Sequence, residues 1–218
     1  MELRRQLPLL PRKVLEYILD FLAYCLWRDY QFQIFVILNG RGNNGKSTLL
    51  SFIKNFLGHR NVSGESLYRL SDPNNKFVTA QLYGKLANLD ADISKLKLED
   101  TGTLKKLTCR DKIFGENKFK SPFSFVNYAK LIFSTNDIPG TQDESDAYFK
   151  HVKIIDFKKQ FWGKEIDLHL LEKLIAPKEM SGVLTLILKR LHCTSFCSYN
   201  FYGFATATFY VTVFFHLS

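Results

Sequence analysis

Hydrophobic residues recur along this chain with two periods that take turns. Over residues 11–27 Leu15, Ile18, Leu19, Leu22, Cys25 and Leu26 fall at helical spacing, and Pro11 suits a first helical turn, which predicts an N-terminal helix. Residues 31–38, QFQIFVIL, form a short run rich in β-branched and aromatic side chains that ends at Asn39-Gly40, which reads as a buried strand running into a turn. Leu49, Leu50, Ile53, Phe56 and Leu57 then lie on one helical stripe that stops at Gly58. Strand, glycine-rich loop and helix thus follow in order.

Further along, residues 61–75 are rich in Ser, Asn, Gly and Asp and read as loop, and 77–82 suit a short helix before Gly84. Residues 85–89 (KLANL) make a second buried strand with Asp90 and Asp92 at its C-terminal end, and 101–107 suit a helix. Residues 113–125 mix β-formers with Gly115 and Pro122, the pattern of a hairpin with cations at its turn. Strands are expected again at 129–134, ending in Thr135-Asn136-Asp137, and at 152–157, with helices at 165–174 and 180–191. This alternation predicts an α/β fold with a largely parallel central sheet flanked by helices. The expected organisation is an N-terminal helical segment over 1–30, the main domain over 31–191, and an apolar tail over 192–218.

Composition narrows the class. With 218 residues, 46% hydrophobic and 23% charged, the chain is globular, which excludes a disordered or collagen-like protein. A net charge of +9 favours a polyanionic partner. Cys25, Cys109, Cys193 and Cys197 match no zinc spacing and are too few to staple a chain of this size, so reduced thiols and a cytoplasmic setting are expected, that of the host cell if the protein is viral. The N-terminal sequence has no secretory pattern. From Leu191 to Ser218 there is no Asp, Glu, Lys or Arg, but polar residues interrupt the apolar run, so the tail reads as β-like rather than as a membrane span, or as the mark of an altered reading frame or truncated gene end. No membrane partner is expected.

Gly40-Arg41-Gly42-Asn43-Asn44-Gly45-Lys46-Ser47 fits G-x-x-x-x-G-K-[ST], between the strand and the helix that the motif requires. Glycines let successive backbone N–H groups converge on phosphate oxygens, and the helix adds its positive N-terminal end. Gly40, Asn43, Asn44, Gly45, Lys46, Ser47 and Thr48 are therefore the candidate nucleotide contacts, with Lys46 reaching the β- and γ-phosphates and the Ser47 hydroxyl on Mg²⁺. An accidental match in a chain this long is on the order of 1%, which decides for nucleotide binding. Asp90 and Asp92, two apart on an extended strand, would face one side, one serving the metal and the other the attacking water, while either alone is as readily a helix cap. Asn136 can hydrogen-bond the γ-phosphate or that water, although an Asn after a strand is more often a turn residue.

Taken together, the loop from Gly40 to Ser47, KLANLDADIS, LKKLTCRDKIFGENKFKSPF and KLIFSTNDIP resemble superfamily 3 helicases, above all the ATPase domains at the C-terminal end of phage, plasmid and archaeal-virus primases. The resemblance implies an AAA+-like P-loop NTPase that uses ATP and Mg²⁺, assembles as a hexameric ring and unwinds DNA at a replication origin or fork, with a primase domain or protein as partner. It assigns Lys46 and Ser47 to the phosphate loop, Asp90 (also a metal ligand) and Asp92 to the acidic motif, and Asn136 to the polar sensor. Lys118, Phe119 and Lys120 match the tip of a pore hairpin, where lysines would neutralise phosphates and the aromatic ring would pack on sugars or bases.

Two departures stand out. Where the family usually carries paired arginines before a strand, this chain has Lys150 and His151, neither of which offers the planar fork of an arginine finger, so weak hydrolysis is expected. The pattern also ends after Leu191 and the sequence begins without a primase-sized domain, so a free-standing or truncated motor is expected. A helicase-like ATPase serving replication of a virus or plasmid is the leading expectation. The alternative is a nucleotide- and DNA-binding remnant or regulator with weak or no hydrolysis. A small-molecule kinase would need an acceptor site and lid arginines that the sequence does not display.

Overall fold

The computed structural model describes residues 12–91, 93, 98, 100–140, 150–196 and 210–211. The chain opens with α1 (Arg12–Leu26), β1 (Phe35–Asn39) and α2 (Lys46–Leu57), then β2 (Val62–Ser63), α3 (Leu67–Ser71), α4 (Lys76–Ala80) and β3 (Ala87–Asp90). It continues through α5 (Gly102–Thr108), the strands β4 (Lys112–Gly115) and β5 (Phe123–Val126), and β6 (Lys130–Thr135) and β7 (Val152–Asp156). It closes with α6 (Leu170–Leu174), α7 (Pro177–Phe196) and the two-residue β8 (Tyr210–Val211).

The main sheet has the order β2-β3-β6-β1-β7-β8, and each neighbouring pair is parallel. The expected α/β architecture with its parallel sheet is therefore the observed one. Strand β1 shows why a near-continuous apolar run was needed: Val36 and Leu38 join a core built with α1, α2 and α7, whereas Phe35 and Ile37 join a second core with α3, α5 and the β4–β5 hairpin. Helix α1 thus belongs to the body of the sheet, and Arg190 of α7 grips its Glu16 and Asp20. Among the described residues no helix is long and apolar enough to cross a membrane.

At the N-terminal ends of the strands sits a buried cation. Lys130, the first residue of β6, is 0% exposed; its Nζ donates to the carbonyls of Trp27 and Tyr128, both at 2.8 Å, and lies 4.2 Å from the centre of the Tyr24 ring. Burial pushes its pKa down to about 8. The Tyr24 and Tyr30 hydroxyls accept the amides of Phe32 and Leu131, so this cage also ties α1 to the sheet.

Three expectations need revision. Residues 61–75 are not all loop, because β2 adds a short edge strand beside β3, and α3 carries Leu67 and Leu70 into the core. The helix expected over 165–174 is one 3₁₀ turn, Gly163–Glu165, followed by α6 alone. Strand β3 ends at Asp90, and Asp92 lies outside the described residues; of the tail, 192–196 continue α7, and only β8 is described beyond them, so Cys197 too lies outside.

Candidate nucleotide-binding site

The phosphate loop bridges β1 and α2 at the C-terminal edge of the sheet. Its first glycine, Gly40, has φ 148°, and a methyl there would stand 2.4 Å from the Phe157 carbonyl oxygen, so only glycine fits. Gly45 opens α2 in the left-handed region at φ 85°, as does Asn43 at φ 59°. The loop is braced from behind: the Gly40 amide donates to the Thr135 carbonyl and the Phe157 amide to the Asn39 carbonyl.

Asn44 faces inward. Its Nδ2 donates to the Phe157 carbonyl at 3.2 Å, while its Oδ1 accepts Lys46 Nζ at 3.1 Å and the Lys46 amide at 3.4 Å. Its side chain thus positions Lys46. Lys46, 5% exposed, also donates to the Gly40 carbonyl and, at 3.4 Å each, to the Arg41 carbonyl and Asn136 Oδ1. Every acceptor is neutral, and burial lowers the lysine's pKa. An ammonium held this way at the mouth of a cleft is completed by an anion, so the residues fit a nucleotide phosphate. Ser47 is exposed on the first turn of α2, Thr48 follows it, and Asp90 ends β3 half-buried two strands away. These are oxygen donors of the kind Mg²⁺ takes.

The cleft measures about 620 Å³, within the range of small-molecule sites. It is lined by the loop from Gly42 to Thr48 with Ser134, Thr135 and Asn136, and by a second, apolar wall of Phe161, Ile166 and Leu170. Sequence reasoning placed a helix over 165–174 but did not foresee that second wall. It comes from the irregular strap joining β7 to α6 and from Leu170, the first residue of α6, and the strap has no period to read. The strap is fastened to the loop by the Phe161 amide on the Asn43 carbonyl at 2.7 Å and by Gln160 Nε2 on the Gly42 carbonyl at 2.9 Å. Asn39 and Asp156 form a further unforeseen pair at 2.7 Å, closing the ends of β1 and β7.

Other candidate residues stand apart from the cleft. Lys150 and His151 precede β7, at the opposite end of that five-residue strand from the loop, ~17 Å away. Lys150 is exposed, whereas His151 is half-buried against α5, with Nδ1 2.8 Å from Thr108 Oγ1, and burial lowers its pKa. The hairpin of β4 and β5 carries Lys118, Phe119 and Lys120 at its exposed turn. Phe119 has φ 61° and makes no burying contact, and Glu116 anchors the base of the turn through its amide to the Lys76 carbonyl.

Residues 38–148 match a family of unknown function, DUF5906. A protein of Acanthamoeba polyphaga mimivirus named "Putative helicase L207/L206" is 27% identical over 205 residues, covering 80% of this chain and 20% of its own. The chain therefore spans one fifth of that relative's length. Two apo structures of the C-terminal region of NrS-1 superpose with TM-scores of 0.63 and 0.62 at 16% identity. They cover 85% and 83% of this chain and 44% and 43% of their own. They share its fold, and the motif resemblance to superfamily 3 helicases agrees with the mimivirus relative's name.

Proposed function

The chain belongs to the family of unknown function DUF5906, and we propose that it is the motor of a DNA helicase, driven by ATP hydrolysis in the replication of a virus or plasmid. The observation that carries this reading is Lys46, a buried ammonium surrounded only by neutral oxygens and turned into a cleft at a helix N-terminus. In this reading Lys46 and the loop amides bind the β- and γ-phosphates of ATP. Asn136 holds the attacking water or the γ-phosphate, and Asp90 with Asp92 orients the water that displaces ADP. Mg²⁺, supplied with the nucleotide, would be held by Ser47 and Asp90 and neutralise charge on the phosphates.

Lys150 and His151 cannot reach their own chain's loop from the far end of β7, so the charge of Lys150, with His151 beside it, would serve a neighbouring subunit of a ring, of which a hexamer is the expected form. The exposed turn at Lys118, Phe119 and Lys120 would face single-stranded DNA in the pore. A primase domain or protein is the partner expected beside such a motor. A second reading, a nucleotide- and DNA-binding regulator without turnover, is favoured by one observation: His151 is engaged with Thr108, and neither it nor Lys150 offers a guanidinium fork.

The two readings part on ATP turnover with and without single-stranded DNA. The motor requires turnover that DNA stimulates and that rises faster than linearly with protein concentration. ATP binding with no turnover under any of these conditions makes the chain a regulator.

A further inference from the structure

The strap between β7 and α6 has no part in the reading above, although with the first residue of α6 it supplies the apolar lining of the cleft. Phe161, Ile166 and Leu170 carry no polar side-chain atoms, and the two acids beside them, Glu165 and Asp167, offer only acceptors as carboxylates. Both acids are already engaged. Asp167 takes Lys173 Nζ at 2.6 Å and the His169 amide at 3.0 Å, and Glu165 lies 3.5 Å from Lys159 Nζ. The same Lys159 stands 5.1 Å from the centre of the Phe161 ring, covering one face of it.

Four of the five backbone amides here are consumed as well, that of Asp167 being the exception. The amide of Phe161 goes to the Asn43 carbonyl, and those of Glu165, Ile166 and Leu170 go to the carbonyls of Trp162, Gly163 and Asp167. A purine edge presents acceptors, N7 on both bases and O6 on guanine, that only donors can reward. Sites that hydrogen-bond a substrate reject an analogue lacking the group by ~10⁴–10⁵, whereas apolar pockets discriminate by only ~10–200.

Resting on the nucleotide reading of the same cleft, we infer that this strap is the base wall of the site: it holds a purine ring by stacking and apolar contact and offers its acceptor edges no side-chain donor, so ATP and GTP are bound with similar affinity. The fastening of the strap to Gly42 and Asn43 uses backbone groups and Gln160, so trimming Phe161 or Ile166 leaves the phosphate loop in place.

Calorimetric titration of the full chain with MgATP, MgGTP and magnesium tripolyphosphate tests this. ATP and GTP should bind within about tenfold of each other. Phe161→Ala and Ile166→Ala should each weaken both nucleotides by about tenfold, with tripolyphosphate affinity unchanged. A preference for ATP over GTP beyond about 100-fold, unchanged ATP affinity in both variants, or a parallel loss of tripolyphosphate overturns the inference. Binding of none of the three by the unaltered chain overturns the nucleotide reading itself, and the base wall falls with it.

Discussion

Lys46 and Lys130 are both buried lysines, Lys46 opening α2 at the C-terminal edge of the parallel sheet and Lys130 opening β6 at its N-terminal edge. Burial lowers the pKa of each. Their surroundings differ in what they leave undone. Lys130 is sealed among two carbonyls and two tyrosine rings and holds α1 against the sheet. Lys46 is propped by carbonyl and amide oxygens at the edge of a cleft where an anion can still arrive. A buried charge therefore marks a binding site when its cavity is open, and a structural tie when its cavity is closed. Lys118 extends the contrast, being exposed on a hairpin turn where a grip on moving DNA needs charge without a fixed pocket.

The comparison breaks most easily at Lys46. Lys46→Ala should weaken ATP binding by about 10³-fold, the upper range for removing one preorganised donor, with little change in melting temperature. A large loss of stability with nucleotide affinity intact would make Lys46 the structural lysine. At the end of β3, Asp90→Asn should lower turnover by about 10²-fold in single-turnover assays while ATP affinity changes far less; an unchanged rate would reduce Asp90 to the end of a strand.

At the exposed turn, Phe119→Ala should weaken single-stranded DNA binding by ~1–3 kcal/mol if the ring stacks on a base. Lys118→Ala should instead reduce the slope of log affinity against log salt by ~0.7. Fluorescence anisotropy at several salt concentrations separates the two. If neither changes, the turn is a solvated surface.

The smallest effect belongs to Lys130 and has a definite sign. Its folded pKa of about 8 lies below the ordinary 10.5, so above pH 8 the unfolded chain binds the extra proton and stability rises with pH. The rise should be ~1 kcal/mol between pH 8 and 9 in urea titrations. Beyond that the trend reverses. Burial raises Cys25 from 9.0 to about 12 and lifts Tyr24 and Tyr30 above 10, so the unfolded chain sheds those protons first. Lys130→Met should remove most of the rise, whereas Lys46→Met should keep most of it.

What could be read from the sequence followed the strength of local repetition. Helix α2 was legible residue for residue because Leu49, Ile53 and Leu57 repeat over three turns between two glycines. The four central strands were legible as apolar runs, to within two to four residues at their ends. Strand β2, with two residues, and α3, with five, are too short to show a period, and their Ser- and Asn-rich flanks masked them. In the site, the phosphate loop was explicit because its chemistry demands fixed residues at fixed spacing. The wall of Phe161, Ile166 and Leu170 was not, since apolar contact accepts many residues and an irregular strap imposes no spacing. Nor could sequence show that Asn44 turns inward to prop Lys46, a role created by the nearby Phe157 carbonyl from a distant strand.

The strap has an optical consequence. The chain has two tryptophans: Trp27, packed against the core beside Lys130, and Trp162, 61% exposed and next to Phe161. In a Trp27→Phe background all indole emission would come from residue 162, one position from the ring on which the purine is inferred to rest. Its water-relaxed spectrum would shift or quench as nucleotide fills the cleft and would ignore DNA held at the distant hairpin. The molecule thus carries a native fluorophore at the nucleotide end alone, and a stopped-flow trace could time nucleotide arrival separately from DNA engagement without an attached dye.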